Sequence, residues 1–424
     1  MIKALLQKYK RLIGDSVWSI LGLLLMNAVA QIVVFPLYAR RFGEVGYGEL
    51  QYLMAYVNVL TVAVGTAANY ARMSAPEGER EQNSGDYNLF LLLVAALGLP
   101  LTLLVRRFGG VLLDTPTYVC YYLLFVAMAF RYYADVAYKI TLQYRRYFAY
   151  YLAIAVGYAV GAWLMWQTGI WPLGLLVGEA LGVVLAYVTC PQLHRRGLSL
   201  SRGWRRSLSL VAVLFLAEGV ANLILNVDRI LLKLLLGASA VTVYYLATLL
   251  GKTMSLIAVP LNGVLIGYLA RYNGKLTRRA MRGIAFGSVG MVLLGTAATT
   301  VGGYLMLLLL YPAELAAVTP YLLLGSLAQV LYFTTSMIMV ILIRFANKAY
   351  QIYINAVFFA AFVGLGIPAT LAFSLQGFAI AMVIAAALRY LMAVALGYWH
   401  VFTAQTVSKS DSAPHEINHR EDGV

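Results

Sequence analysis

The chain has 424 residues, 62% of them apolar and 12% charged, about half the charged share of an ordinary soluble domain. That balance excludes a fold built around one core in water and places the chain in a bilayer. The net charge of +15, from 32 Lys and Arg against 17 Asp and Glu, would suit nucleic acid only on a hydrated basic face; here it is expected to orient the protein in its membrane, with no nucleic-acid partner.

A helix needs about 20 apolar residues to cross the hydrocarbon core. Runs of that kind fall near 16–38, 48–71, 87–105, 117–135, 148–167, 170–190, 208–235, 240–270, 283–311, 320–343, 350–372 and 376–400. They predict an all-α polytopic membrane protein of twelve spans. The first run is read as a retained helix, because Trp18 to Tyr38 is longer than a signal peptide's apolar stretch of about 7–15 residues and no small-residue cleavage site follows it. With the N-terminus in the cytoplasm, 24 of the 32 basic residues lie on the cytoplasmic side and 6 outside, while Lys252 and Arg389 fall within spans. That bias predicts cytoplasmic N- and C-termini.

The basic segment 191–206 divides the spans six and six. An N-terminal bundle over 1–190, a cytoplasmic linker over 191–206, a C-terminal bundle over 207–402 and a disordered cytoplasmic tail over 403–424 are expected. Residues 35–58 can be laid on 229–252, aligning Phe42-Gly43 with Leu236-Gly237. This is the layout of parallel repeats in a secondary transporter.

No loop has room for a catalytic domain. Gly251-Lys252-Thr253 lacks the upstream glycine of a phosphate-binding loop, and His194, His400, His415 and His419 lie in loops or near the chain end. Cys120 and Cys190 sit in different apolar segments with no CxxC, so neither a disulfide nor a metal site is indicated. The chain is expected not to be an enzyme and to need no resident cofactor.

Ionisable groups at mid-membrane are costly and mark function. On the seventh span Glu218, Asn222, Asn226, Arg229 and Lys233 share one face about 80° wide at helical spacing. Two readings stand side by side: helix-to-helix hydrogen bonding with snorkelling, or the wall of a water-filled cavity. The second span repeats the pattern with Gln51, Asn58, Asn69 and Arg72, and the first adds Asn27, Gln31 and Tyr38. Cationic walls with amides and tyrosines suit an anionic, sugar-bearing substrate. Glu179, Glu218 and Asp228 are the carboxylates placed for proton or Na⁺ coupling, with the membrane potential as a further source of drive. Glu179 lies in a stripe of Gly174, Gly178 and Gly182 that also fits a purely structural, hydrogen-bonded acid.

Three patches carry a family resemblance. Pro36-Leu37-Tyr38-Ala39-Arg40-Arg41-Phe42-Gly43 with Tyr47-Gly48, Asn226-Val227-Asp228-Arg229 through Gly237 to Tyr244-Tyr245-Leu246-Ala247, and Leu375-Gln376-Gly377-Phe378-Ala379-Ile380-Ala381 resemble the polysaccharide transporters of the MOP superfamily, the lipid-linked oligosaccharide flippases. Thr242 stands where that family usually has glycine and Phe42 where it has leucine. The resemblance implies two six-helix bundles in a V-shaped alternating-access transporter of the bacterial inner membrane. It also implies a substrate of undecaprenyl-pyrophosphate-linked repeat units, and pathway partners in a polymerase and glycosyltransferases. Arg40, Arg72, Arg229, Lys252 and Arg389 are expected to meet the pyrophosphate, and Asn58, Asn222 and Asn226 the sugars. A multidrug or cation antiporter of the same superfamily and a membrane polysaccharide polymerase or ligase are the alternatives.

Overall fold

The computed structural model describes residues 18, 20–253, 265, 276–346 and 349–410, with side chains up to 402. Among these residues the chain is helical apart from short connections, and eight helical stretches are long and apolar enough to cross a membrane. In the bilayer a helix satisfies every backbone hydrogen bond within itself, which is why the apolar runs take this form. Two of the stretches, Ile20–Ser74 and Ala349–Phe402, run 55 and 54 residues, more than twice the length a crossing requires, and each is broken once. The break at Gly43 divides α1 (20–42) from α2 (44–74). The break at Phe373 and Ser374 divides α11 (349–372) from α12 (375–410).

Between them lie α3 (Ser84–Gly109), α4 (Thr115–Ala134), α5 (Tyr144–Thr168), α6 (Leu173–Thr189), α7 (Trp204–Leu236), α8 (Ala238–Thr253), α9 (Arg278–Leu310) and α10 (Leu315–Phe345). The predicted span 240–270 begins as α8, and most of its second half lies outside the described residues. The helical backbone continues to Ser410, into the segment expected to be a disordered tail, and 411–424 lie outside the described residues.

The predicted loop between the first two spans shrinks to one residue. Gly43 has φ 68° and ψ −177°, and Gly237, between α7 and α8, has φ 95° and ψ −176°. This part of backbone space is essentially closed to residues with a Cβ, so one glycine reverses the chain where other residues would need a longer turn. The two glycines are those the repeat alignment superposes, and they adopt the same conformation. Their surroundings repeat as well: a Cβ on Gly48 would lie 1.9 Å from the carbonyl oxygen of Ala238, while Thr242 Oγ1 donates to the carbonyl of Glu44 at 2.6 Å. Gly48 and Thr242 are repeat equivalents, as are Glu44 and Ala238. The two contacts are images of each other, as in an isologous interface.

Pro36 lies within continuous helix, where its ring would crowd the carbonyl four residues back. A π turn at Ala30–Val34 contains that carbonyl and widens the helix there.

By contacts the chain groups into two compact units, Met1–Tyr245 with Leu308–Glu314, and Leu246–Leu307 with Leu315–Val424. In the first, α2 packs along α7 and α4, and α5 along α6. The glycine stripe of α6 makes the second contact possible: Cβ atoms on Gly178 and Gly182 would run into Tyr158 and Ile154 of α5, and one on Gly174 into Tyr38 of α1. The second unit is built on α10 against α11 and α12, around Ile338, Met339, Leu342, Ile354 and Ala393. Large apolar side chains such as Phe286 and Leu294 remain 75% exposed, as a lipid-facing surface requires.

Replacing Gly43 or Gly237 by alanine is expected to destabilise the protein by ~1–3 kcal/mol each through backbone strain, since a Cβ at either position meets nothing within 4 Å. Thermal unfolding in detergent measures this. Gly197→Ala, at a milder φ of 54°, serves as the control and is expected to shift the midpoint less.

Candidate functional site

The polar face expected on the seventh span is present on α7, and its far end meets α2. Arg229, 7% exposed, donates through Nη1 to Gln51 Oε1 at 3.1 Å and through Nη2 to Asn226 Oδ1. Its guanidinium lies over the Tyr245 ring, 5.3 Å from the centroid, and its Nε is buried with no acceptor. Asn226 Nδ2 in turn donates to the carbonyl of Asn222 at 2.7 Å, and Asn222 Nδ2 to that of Glu218 at 2.8 Å. A ladder of hydrogen bonds therefore runs along one side of α7 and crosses to α2. Asp228 Oδ1 accepts the backbone N–H of Arg229 at 2.9 Å, and Lys233 pairs with Glu49 at 3.3 Å. Tyr47 closes the cluster, edge-on to Tyr245 and tilted against Tyr311.

The opposite end of α2 is fixed differently. Arg72, 1% exposed, donates to Tyr133 Oη and to the carbonyl of Gln192, both at 2.7 Å, and to the carbonyl of Arg80 at 3.3 Å. Asn69 bonds the carbonyl of Tyr132 and the carboxylate of Asp135. Asp135 also accepts Tyr147 Oη at 2.9 Å and pairs with Lys139 at 3.0 Å. The strip read from sequence on the second span is thus used in packing at both ends, with Gln51 on α7 and with Asn69 and Arg72 on α4 and its neighbours. Asn58, between them, is half-buried.

Glu179 on α6 forms a buried ion pair with Arg131 on α4, Nε to Oε2 at 2.7 Å and Nη2 to Oε1 at 3.3 Å, with both side chains at most 3% exposed. Tyr158 Oη donates to Oε1 at 2.5 Å, and the Arg131 guanidinium stacks 3.7 Å from the Tyr132 centroid. The structure gives Glu179 a tie between helices in the first unit.

In the second unit Arg389 on α12, 2% exposed, donates through Nε and Nη2 to Asn355 Oδ1 at 3.3 and 3.1 Å and through Nη1 to the carbonyl of Tyr332 at 2.6 Å. Its guanidinium stacks 3.9 Å from the Tyr332 centroid. Among the described residues no carboxylate pairs with it; between Asp228 and Asp411 the sequence has one acidic residue, Glu314, which groups with the first unit. Three hydrogen bonds leave two of the five guanidinium protons for another acceptor. Lys252, in the last turn of α8, is half-buried in the same unit.

The structure thus brings Asn222, Asn226, Asp228 and Arg229 together, with Glu218 on the same ladder. Arg72 is held apart at the other end of α2. Arg40 is exposed near the turn carrying Glu314, whose carboxyl is pushed above the usual range by burial and by Glu44 and pulled down by Arg40. Sequence reasoning missed three contributors. Arg131 lies inside the apolar run 117–135, and that position is the signal that marks it. Asp135 had no such signal, and Asn355 none beyond being polar within a span.

These features define an all-helical, polytopic membrane fold. Solved structures similar to the chain include the lipid II flippase MurJ in an inward closed conformation, at TM-score 0.68 and 13% identity over 96% of this chain and 94% of that one. An inward-facing multidrug resistance MATE family transporter of the MOP superfamily matches at TM-score 0.58 and 14% identity, covering 92% of this chain and 96% of its own. The bent form of the Vibrio cholerae MATE transporter VcmN matches at TM-score 0.54 and 12% identity, covering 92% and 98%. No curated protein matches the chain by sequence. The family model described as polysaccharide biosynthesis protein matches residues 13–273, more than half of the chain. The protein belongs to that family.

Removing one partner of the Arg131–Glu179 pair leaves a buried charge uncompensated, so Glu179→Ala is expected to cost ~3–5 kcal/mol. The double replacement Arg131→Met with Glu179→Leu is expected to recover most of that loss. Thermal unfolding of the three proteins measures the recovery, and a double variant no better than the single one would contradict it.

Proposed function

We propose that the protein is a flippase for undecaprenyl-pyrophosphate-linked oligosaccharide repeat units, moving them across the bacterial cytoplasmic membrane for surface polysaccharide assembly by alternating access. The family match and the likeness of fold to a lipid II flippase support a lipid-linked substrate. The observation that carries the reading is the charge of the chain from residue 229 to 410. That stretch holds a single carboxylate, Glu314, in a turn, while Lys252 and Arg389 lie within its spans. A wall lined from it is neutral or cationic, and it offers donors to phosphate oxygens.

In this reading Lys252 and Arg389 are the candidate phosphate contacts of the second unit. In the first unit Arg229 is a further candidate phosphate contact, and Asn222 and Asn226 on α7 and Asn58 on α2 are the candidate sugar contacts. Arg72 and Arg40 are the weaker members, the first because protein acceptors occupy its guanidinium, the second because it is exposed at a helix end. Two six-helix bundles with both termini in the cytoplasm complete the arrangement. A polymerase and glycosyltransferases would be its pathway partners.

The likeness to MATE transporters favours a second reading, export of cationic drugs. A cationic drug calls for acidic walls, which the spans between residues 229 and 410 do not supply.

Lys252→Ala and Arg389→Ala are each expected to abolish complementation of a flippase-deficient strain while the protein remains in the membrane. Arg389→Lys is expected not to restore it, because an ammonium cannot stack on Tyr332 and fork to Asn355 as a guanidinium does. Full complementation by Lys252→Ala would remove that residue from the site. Drug resistance conferred on a sensitised strain would favour the second reading.

A further inference from the structure

We propose that Glu218 is the mid-membrane protonation site among the described residues of the first unit, taking up one proton from water on one side and releasing it on the other during transport. The proposal rests on the flippase reading and names the coupling that would drive it. It follows from what each carboxylate already does. Glu179 is bridged to Arg131 and Tyr158. Asp135 accepts Tyr147 and Asn69 and pairs with Lys139. Asp228 accepts the Arg229 backbone, and Glu49 pairs with Lys233. Asp86 bonds Ser201 through both carboxylate oxygens. Glu44, Glu77, Glu79, Glu81, Asp114 and Glu314 lie at helix ends or in connections, Asp15 lies outside the described residues, and the sequence holds no further acid before 411.

Glu218 differs from all of these. It stands near the middle of α7, whose 33 residues span roughly 50 Å at 1.5 Å per residue, so it lies well away from either end. It is half-buried, and only its backbone carbonyl is engaged, by Asn222. A carboxylate at this depth without a basic partner cannot remain charged against lipid. It must either be protonated or face water. Exchange between those two conditions is what a proton-coupled carrier needs.

The surroundings leave its charge uncompensated. On α2, which packs along α7, the titratable neighbour is Tyr70, whose hydroxyl senses Glu218 together with Lys139 and Asp135. On α3, also packed on α7, Asp86 is bonded to Ser201 and Arg106 and Arg107 occupy the last turn. On α7 itself Asn222 and Asn226 lead by hydrogen bonds to Arg229 and across to Gln51. The turn that carries the proton is thus tied to the contact between α7 and α2.

The test compares full-length wild-type protein with Glu218→Gln, Glu218→Asp and Glu49→Gln in liposomes of bacterial phospholipid. Infrared difference spectra are recorded as pH is stepped between about 4 and about 9, across the range in which a carboxyl titrates. Wild type and Glu49→Gln are expected to show a carboxyl band that Glu218→Gln lacks and Glu218→Asp keeps at a shifted frequency. In a flippase-deficient strain Glu218→Gln is expected to lose complementation and Glu218→Asp to retain part of it. Persistence of the whole band in Glu218→Gln would overturn the proposal, as would complementation by Glu218→Gln equal to wild type. The infrared arm needs no substrate, so failure of wild type itself to complement would tell against the flippase reading and leave the protonation result standing.

Discussion

The contact between α7 and α2 is the constraint on which the first unit depends. Hydrocarbon offers no hydrogen-bond partner, so a guanidinium at this depth must find one in protein or reach water. Arg229 finds Gln51 across the helix interface and Asn226 on its own helix. Around that bond the repeats meet through two image-related contacts, Gly48 on Ala238 and Thr242 on Glu44. Two glycines in a backbone region closed to other residues make this geometry possible, because a longer loop at 43 or 237 would move the helix starts apart. The seam is polar inside, and Arg229 Nε is buried without an acceptor. A contact that leaves a donor unpaired forgoes about 1–3 kcal/mol that hydration would return, which makes it a seam that water can open at modest cost.

Charge is divided unequally between the two halves, and the division has chemical meaning. Where the first half buries a cation, an acid, an amide or a carbonyl meets it: Glu179 for Arg131, Asp135 for Lys139, protein carbonyls and a phenol for Arg72. Between residues 229 and 410 the sequence holds one acid, Glu314, and Arg389 is held by Asn355, a carbonyl and the face of Tyr332. Aromatic stacking stabilises such a group by about 0.5–2 kcal/mol, less than a buried carboxylate partner would. A phosphate-bearing ligand is the natural complement of that deficit.

Most of the fold was legible in the sequence because hydrophobic length and charge bias act locally. The apolar runs became helices, and the alignment of Gly43 with Gly237 anticipated two turns of the same conformation. The extent of the turns was not legible. A break of nine residues is expected between the first two spans, and one residue suffices, since only its φ shows what a glycine is doing. Of the candidate site, the α7 face was legible from its spacing alone. The roles of Arg72 and Glu179 were not, because a charged residue at helical spacing looks the same whether it lines a cavity or holds a neighbouring helix.

The sequence by itself determined that the chain crosses a membrane repeatedly, that its halves are related, and that its mid-membrane charges are few and mostly basic. Those are consequences of composition and period, which each segment carries alone. Tertiary structure decided which of those charges are engaged. Arg131, Glu179, Asp135, Arg72 and Arg229 meet partners 12 to 178 positions away in the chain, and no local pattern specifies a partner at such distances. What remains after those pairings, the half-buried Glu218 and the acid-free surroundings of Arg389, became visible only once the engaged groups could be set aside.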